Sequence, residues 1–363
     1  MANRQQLGIL KQGALPWNEW RKKNPDVKPD LYEAALAGAN LHGANLSGAN
    51  LEGAELASAN LQEANLLGAT LVEAGLHKAN LHKADLGFAD LTFAHLSSAQ
   101  LTNARLWKAD LTAAKLDGAD LSAADLTMAM LRETDFSGAN LHEATLDFAI
   151  LVETNLQQAN LAGCSVCGLS AWNVYLEGAN QQNLVVTFPS EPTIMVDTLD
   201  VAQLIYLLLN NKHLHGVITG MTSNIVLILG RFTPERKPVL EAIRDELRER
   251  QYTPMLFNFE KPLSRDFSES LRMLARSARF IIADLSLHKS ISQELRAILP
   301  GTAVAVQPLL NGARRLYTMF PDFKQYPYVL PGYRYNGLAD LQATLEEKVI
   351  KPAEEKAKEL ERK

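Results

Sequence analysis

A chain of 363 residues exceeds what one hydrophobic core usually serves, so two domains are expected. With 47% hydrophobic residues and a formal net charge of −5, it is neither a disordered polyelectrolyte nor a strongly basic nucleic-acid binder. The longest apolar run, Val201 to Leu209, is too short to cross a membrane, two cysteines make no disulfide framework, and Met1 to Gln6 lacks a signal peptide's apolar core. The expected location is therefore cytoplasmic.

Residues 1–30 space Leu7, Leu10, Ala14 and Trp17 near a helical period, followed by Trp20 and a stop at Pro25 to Pro29. This predicts an N-terminal helical cap. A helix that binds a partner is the less supported alternative.

Residues 31–180 then repeat every five residues without an insertion. From 31 to 161 the lead position is Leu throughout, save Phe136. The position two before it is Ala from 34 to 159, save Thr134 and Thr154, and the residue between them is mostly Asn or Asp. On an α-helix a five-residue step turns about 500°, so the leucines would circle the cylinder. On a flat strand an odd step throws alternate leucines to opposite faces. The pattern closes only if the chain turns a corner in every pentad, so that Leu and Ala converge on one axis. That describes a β-helix.

Runs such as Ala44-Asn45-Leu46-Ser47-Gly48 resemble the pentapeptide-repeat proteins. The resemblance implies a right-handed quadrilateral β-helix with four pentads per coil, a solenoid about 36 Å long at about 4.8 Å per coil. In the last coil Val166 and Ala171 replace Leu while Cys164, Leu169 and Val174 replace Ala, an exchange of large and small that predicts a terminating coil. Cys164-x-x-Cys167 puts one thiol inward and one outward with no second pair, so packing is expected and no metal site. The repeat holds 17 acidic against 6 basic residues, a balance of −11 that leaves +6 for the rest of the chain. Some pentapeptide-repeat proteins use an acidic rod to mimic DNA and occupy DNA gyrase; an acidic surface that keeps the rod soluble is the simpler expectation.

With four pentads to a coil, positions twenty apart stack. Phe88, Lys108, Met128 and Phe148 then form one outer column, with Phe93 one corner away. Aromatics on a polar rod mark an expected interaction surface for a protein partner or a second copy. Scattered surface aromatics are the alternative.

Residues 181–223 read as a linker: an extended connection from Asn183 to Pro192, then a bridging helix from Leu199 to Asn210 preceded by Asp197. Its expected buried face is Val201, Leu204, Ile205 and Leu208.

Residues 224–351 alternate apolar strands and helices. Strands are expected at Ile225–Leu229, Tyr252–Phe257, Arg279–Ala283, Ala303–Leu309 and Tyr326–Val329. Helices are expected at Pro234–Arg250, Asp266–Ala278, Ser292–Leu299, Ala313–Phe320 and Leu338–Val349. This predicts an α/β domain with a parallel sheet in flavodoxin-like order. Residues 352–363 read as a charged, solvated helical tail.

In such sheets ligands sit beyond the carboxyl ends of the strands. Those ends carry Gly230, Arg231 and Thr233; then Asn258, Glu260 and Arg265; then Asp284, Ser286, Ser290 and Ser292, with Glu294 beyond. Gly230 would let a ligand approach the backbone, and Arg231 could pair a phosphate. The stretch from Phe280-Ile-Ile-Ala-Asp284-Leu-Ser286 through Ser290-Ile-Ser292-Gln-Glu294-Leu is similar to TIR-like domains and to nucleoside deoxyribosyltransferases. The resemblance implies a catalytic Glu294 acting beside a ribose whose N-glycosidic bond breaks, with NAD as substrate, not as cofactor. Asp284 would hold ribose hydroxyls. Many active TIR domains carry Trp four residues before the Glu, where this chain has Ser290. Without a ligand, Asp284 would cap its loop, Ser290 or Ser292 would cap the helix, and Glu294 would be a solvent-facing residue near a helix N-terminus.

The expected function is a repeat-scaffold signalling protein whose TIR-like domain binds or hydrolyses NAD, as in bacterial defence. The alternatives are a non-catalytic interaction scaffold and, third, a topoisomerase-directed DNA mimic. No direct nucleic-acid or membrane binding is expected.

Overall fold

The computed structural model describes residues 2–210, 224–258, 271–272, 274–286, 295, 298–300, 302–312, 323 and 325–362. The chain divides into two compact units, Met1–Val185 with Thr198–Gln203, and Val186–Asp197 with Leu204–Lys363.

In the first unit the residue between the inward Ala and Leu of each pentad pairs in parallel with the one 20 further along: Asp30 with Asn50, Ala35 with Glu55, Asn40 with Asn60, Asn45 with Asn65. A coil is thus four pentads, and the bonds that stack it are regular. Leu31 N donates to Asn50 O at 2.8 Å, Glu33 N to Glu52 O at 2.8 Å, and Asn50 N back to Pro29 O at 2.8 Å. Within each pentad Ala34 N donates to Leu31 O at 3.0 Å, closing a turn whose third residue has a left-handed backbone (Glu33 φ 52°, Gly38 φ 66°). The lead residues from Leu31 to Leu161, Phe136 included, are no more than 2% exposed.

The Asn or Asp between Ala and Leu has its own role. Its Oδ1 accepts the N–H two residues on, as Asp90 does from Thr92 at 3.1 Å and Asp110 from Thr112 at 2.9 Å. Where Asn recurs it also bonds along the column, Asn60 Nδ2 to Asn40 Oδ1 at 3.2 Å and Asn180 Nδ2 to Asn160 Oδ1 at 3.1 Å. Thr134 and Thr154, inside the coil, donate their hydroxyls to Leu111 O and Leu131 O at 2.8 and 2.5 Å.

Two helices, α1 (Arg4–Leu10) and α2 (Ala14–Lys23), precede the first coil, broken at Gly13 with φ 110°. Trp17 is fully buried and its indole donates to Asn45 O at 2.8 Å, while Arg21 donates to Val27 O and Ser47 O. These bonds satisfy carbonyls that the first coil would otherwise leave open. Both cysteines are buried, which corrects the expected outward placement of Cys167; its N–H donates to the half-buried Asp147 carboxylate at 2.9 Å. Burial pushes the Cys164 thiol up to about 12. In the last coils the pairing lengthens into strands β1 (Ile150–Val152) and β2 (Ser170–Trp172), and β3 (Leu184–Val185) follows.

In the second unit, β4 (Thr193–Val196), β5 (Ile225–Gly230), β6 (Thr253–Asn258), β7 (Phe280–Asp284), β8 (Ala305–Asn311) and β9 (Tyr333–Tyr335) lie in the order β4-β6-β5-β7-β8-β9. The pairs from β6 to β9 are parallel, and β4 is antiparallel to β6. The sheet is therefore mixed, which corrects the all-parallel expectation and takes residues 193–196 out of the supposed linker. The central strands β5 and β7 are buried along their whole length, as strands covered on both faces must be.

Helix α3 (Leu199–Asn210) buries Leu199, Ala202, Ile205 and Leu208, whereas Val201 and Leu204 are half-buried. Helix α4 (Lys237–Glu249) packs Val239, Leu240, Ile243 and Leu247 into the core. The fifth strand lies at Tyr333–Tyr335, not at Tyr326–Val329, where Val329 makes one isolated bridge with Val306. Of the helix expected at 266–278, residues 271–272 and 274–277 are helical, with Leu271, Leu274 and Ala275 buried. The one at 292–299 falls largely outside the described residues, and the one at 313–320 wholly so.

The tail is not solvated. Helix α5 (Gly337–Leu345) passes through a π-helical turn at Glu346–Ile350 into α6 (Lys351–Glu361), whose Ala353 and Ala357 join the core. Arg279, at the start of β7, grips Glu354 with two bonds of 3.0 and 2.7 Å and also reaches Glu361; the Tyr252 hydroxyl donates to Glu354 at 3.1 Å. No described helix is long and apolar enough to cross a membrane.

This clamp gives stability a predictable pH dependence. The bond from Arg279 lowers the Glu354 carboxyl, so its contribution is present above the ordinary carboxylate range and is lost as pH falls through the lowered value. Burial, then Glu354, pushes the Tyr252 phenol up to about 12, so its contribution holds below about 10 and is lost as pH rises through about 12. Urea midpoints measured across pH should show Glu354→Gln flattening only the acid limb and Tyr252→Phe only the alkaline limb.

Candidate functional site

The 20-residue register turns the repeat's sequence into a map of its surface. Each outer side of a coil is centred on an Asn/Asp position and bounded by two turns, whose middle residues face outward. The exposed large hydrophobics between 31 and 180 are Leu67, Phe88, Phe93, Met128, Met130, Ile150, Trp172 and Tyr175. All but Tyr175 share one side: Leu67, Phe88 and Met128 on one bounding corner, Met130 and Ile150 along its centre, Phe93 and Trp172 on the other corner. The other three sides present polar, charged or small residues (Ala35, Gly75 and Ala123 among the last) at the equivalent positions, Tyr175 aside.

Of the residues the sequence singled out, Phe88, Phe93 and Met128 are about half exposed, at 51%, 55% and 46%, and Phe148 is half-buried. Met130, Ile150 and Trp172 were missed. Their signal was available, because they fall at multiples of twenty from Asp90, Asp110 and Thr112, where the rest of the side is polar.

The corner column is also packed. Phe88 meets Trp107 edge-on with centroids 4.3 Å apart, and Lys108 Nζ lies 5.2 Å from the Phe88 ring. Gly87 permits this, since a Cβ there would lie 2.3 Å from Trp107 Nε1. Phe88, Phe93, Met128 and Phe148 occupy the left-handed turn position, φ 55–60°, where the same chain places Gly at 48, 68 and 168. A side chain there costs about 1–2 kcal/mol of backbone strain. Bulky apolar residues accept that cost only at these two corners.

In the second unit the strand order reverses at β5, so the switch point lies between the carboxyl ends of β5 and β7. Gly230 ends β5, and Arg231 and Thr233 follow it; Asp284 ends β7 and Ser286 follows it. The space a Cβ would take at Gly230 is filled by Leu240 of α4, at 2.7 Å, so helix packing accounts for this glycine. Asp284 is only 2% exposed and is held by a residue the sequence did not suggest. Arg236 Nη2 and Nε both meet its Oδ2, at 2.6 and 2.8 Å, and Arg236 also donates to the Tyr335 hydroxyl. Oδ1 of Asp284 accepts Ser286 N at 3.1 Å, and Ser286 Oγ accepts Asn311 N at 2.9 Å.

Burial opposes the charge on Arg236, but Asp284 and Tyr335 outweigh it and hold the guanidinium above its ordinary value. Burial and the Asp284 charge push the Tyr335 phenol up. Arg231 Nε and Thr233 Oγ1 are buried with no hydrogen-bond partner among the described residues. Ser290 and Glu294, like Glu260, Arg265, His288 and Ser292, lie outside the described residues. Among the described residues no cluster of His, Cys, Asp or Glu could hold a metal ion.

Residues 30–66, 49–87, 89–127 and 119–158 match the family Pentapeptide repeats, in 8 copies. Among solved structures the chain is similar to HetL, a pentapeptide repeat protein involved in heterocyst differentiation regulation from the cyanobacterium Nostoc sp. Strain PCC 7120. Identity is 32% over 42% of this chain and 76% of that one, with a TM-score of 0.25. A pentapeptide repeat protein from the Arabidopsis thaliana thylakoid lumen is 28% identical over 34% of this chain and 74% of its own, with a TM-score of 0.23. QnrB1, a plasmid-mediated fluoroquinolone resistance protein, is 18% identical over 39% and 79%, with a TM-score of 0.26. No curated protein matches the chain.

The Arg236–Asp284 pair sets a stability test. Asp284→Asn leaves the Arg236 charge buried without its counter-charge and should cost about 3–5 kcal/mol in urea unfolding. The double variant Arg236→Met, Asp284→Leu removes both charges and should cost less than either single change.

Proposed function

With its repeat unit belonging to the pentapeptide-repeat family, a right-handed β-helix, we propose that the chain is a protein-interaction scaffold that docks a partner on one side of the solenoid. The carrying observation is the grouping of exposed apolar side chains on that side. A solvated rod has no use for them. Polar or small residues fill the equivalent positions elsewhere, and at the left-handed turn position, where the other turns carry Gly, Glu, Lys, Ser, Asn, Gln or Ala, this side displays Phe88, Phe93 and Met128.

The test compares the wild type with Phe88→Ser, Ile150→Ser, Trp172→Ser and with a triple change on the Asn-lined side at Asn60, Asn140 and Asn160. All three sets should unfold within about 1 kcal/mol of one another, apart from the column bonds lost on the Asn side. Partners retained by the wild type in quantitative affinity purification should fall at least tenfold for the apolar-side variant alone. Equal retention by both variants overturns the proposal.

A second reading concerns the second unit. The unpartnered Arg231 Nε and Thr233 Oγ1, beside the switch point, favour an anionic ligand such as the diphosphate of a nucleotide. On this reading the domain is TIR-like, Glu294 stabilises the positive charge that builds on ribose as an N-glycosidic bond breaks, and NAD is the substrate. Asp284, committed to Arg236, then shapes the loop and does not itself hold ribose. Calorimetry with ADP-ribose should show binding that Arg231→Ala weakens at least tenfold. NAD cleavage at high protein concentration should vanish in Glu294→Gln. Cleavage that survives unchanged removes Glu294 from the chemistry.

A further inference from the structure

The apolar side is not uniform along the rod, and its extent and charge select among occupants. Beyond the single Leu67 of the preceding coil, its hydrophobic stretch covers five coils, from the level of Phe88 to that of Trp172. At about 4.8 Å per coil this is roughly 24 Å long, and the side between its corners is about 10 Å wide. Such a strip offers a few hundred Å², well short of the roughly 800 Å² per partner of a stable protein pair. A second rod laid against it would be held weakly. A single α-helix, about 10–12 Å across and rising 1.5 Å per residue, would cover the strip in about 16 residues.

Charge gives the helix a direction. Within the strip the exposed charges on the Phe93 corner are Arg132, Glu133 and Glu153, and Asp90 and Asp110 lie half-buried along the centre. Lys108 is turned over the Phe88 ring. Below Phe93, where the hydrophobic residues stop, the same corner carries Glu33, Glu52 and Glu73. They stand close enough together that all three push the half-buried Tyr32 phenol up, Glu33 most. The first three coils of this side thus carry acidic residues with Leu67 as their one exposed large hydrophobic, while the later coils set their hydrophobic residues among Asp90, Asp110, Arg132, Glu133 and Glu153.

We infer that this side receives an amphipathic helix from a partner protein, its apolar stripe lying along Phe88, Met130, Ile150 and Trp172 and its basic end over Glu33, Glu52 and Glu73. The inference rests on the scaffold reading and gives it a partner class. The binding mode is that of an amphipathic helix laid on an apolar surface, with anchors at i, i+3, i+4 and i+7. Complementary charge fixes which end of the helix meets which end of the strip.

The experiment uses the full chain and two labelled 24-residue peptides of identical composition. One has a Leu/Trp stripe at helical spacing followed by a Lys/Arg block, and the other has the stripe scrambled. Fluorescence anisotropy should show the patterned peptide binding at least tenfold more tightly than the scrambled one. Ile150→Lys should weaken it at least tenfold, and the fold accepts the change because Arg105 and Lys115 occupy the equivalent positions of other sides. Glu33→Gln with Glu73→Gln should flatten the salt dependence and leave the stripe preference intact. Sedimentation velocity of the chain alone should be the same for wild type and Ile150→Lys. If both peptides bind alike, the helix inference fails. If the chain self-associates and Ile150→Lys makes it monomeric, the side belongs to a second copy, which overturns the helix but leaves the interaction reading standing. If Ile150→Lys alters neither peptide binding nor assembly, both fail.

Discussion

The closing of the backbone every 20 residues is the constraint on which the repeat unit depends. Apart from the bond that closes each turn, each coil satisfies its N–H and C=O groups through the coils before and after it, so the register cannot slip by one residue without breaking a whole ladder. The interior follows from the register. A large and a small residue, mostly Leu and Ala, alternate inward because such a pair fills a coil whose four sides are each one pentad long. The exterior follows too, because an outward residue always lies between its neighbours twenty before and twenty after. A sequence of this kind is a surface written in columns, and each column can be given a different character at almost no cost to the core.

That separation explains what was legible. The β-helix was readable because Leu, Ala and the odd period admit one closed geometry, and residues 88, 93 and 128 were readable because arithmetic places them on two corners. The role of Asn and Asp was not, since it comes from Oδ1 reaching a backbone N–H two residues on, which composition does not distinguish from solubility. Cys167 was misplaced because inward and outward were assigned by position alone. In the last coils its corner lies against Asp147 and the pairing lengthens into strands, and there position no longer predicts burial.

The second unit was harder to read for a different reason. Its strands announce themselves as buried apolar runs, but its contacts join residues far apart in sequence. Arg236 and Asp284 are 48 residues apart, and no local pattern pairs them. The tail misled in the same way. Its many Lys and Glu residues read as solvated, while Ala353 and Ala357, small and four apart, gave too weak an apolar stripe to show that α6 completes the core. The antiparallel β4 was hidden because its four residues, Thr193 to Val196, follow two prolines and resemble a connection.

The two candidate sites depart from ordinary folding rules in opposite directions, and the departures distinguish what each can bind. On the solenoid, apolar atoms are left in water although polar ones would fit the same turns better, so the gain must come from covering them. At the sheet's carboxyl edge, polar atoms of Arg231 and Thr233 are withdrawn from water without partners, so the gain must come from supplying hydrogen bonds. A single ligand chemistry cannot remove both defects. On the readings proposed above, the solenoid takes an apolar helix face with one basic end and the α/β edge a small anion or phosphate. Asp284 is already paired with Arg236, so its buried charge has a partner within the chain and does not share the defect of either place.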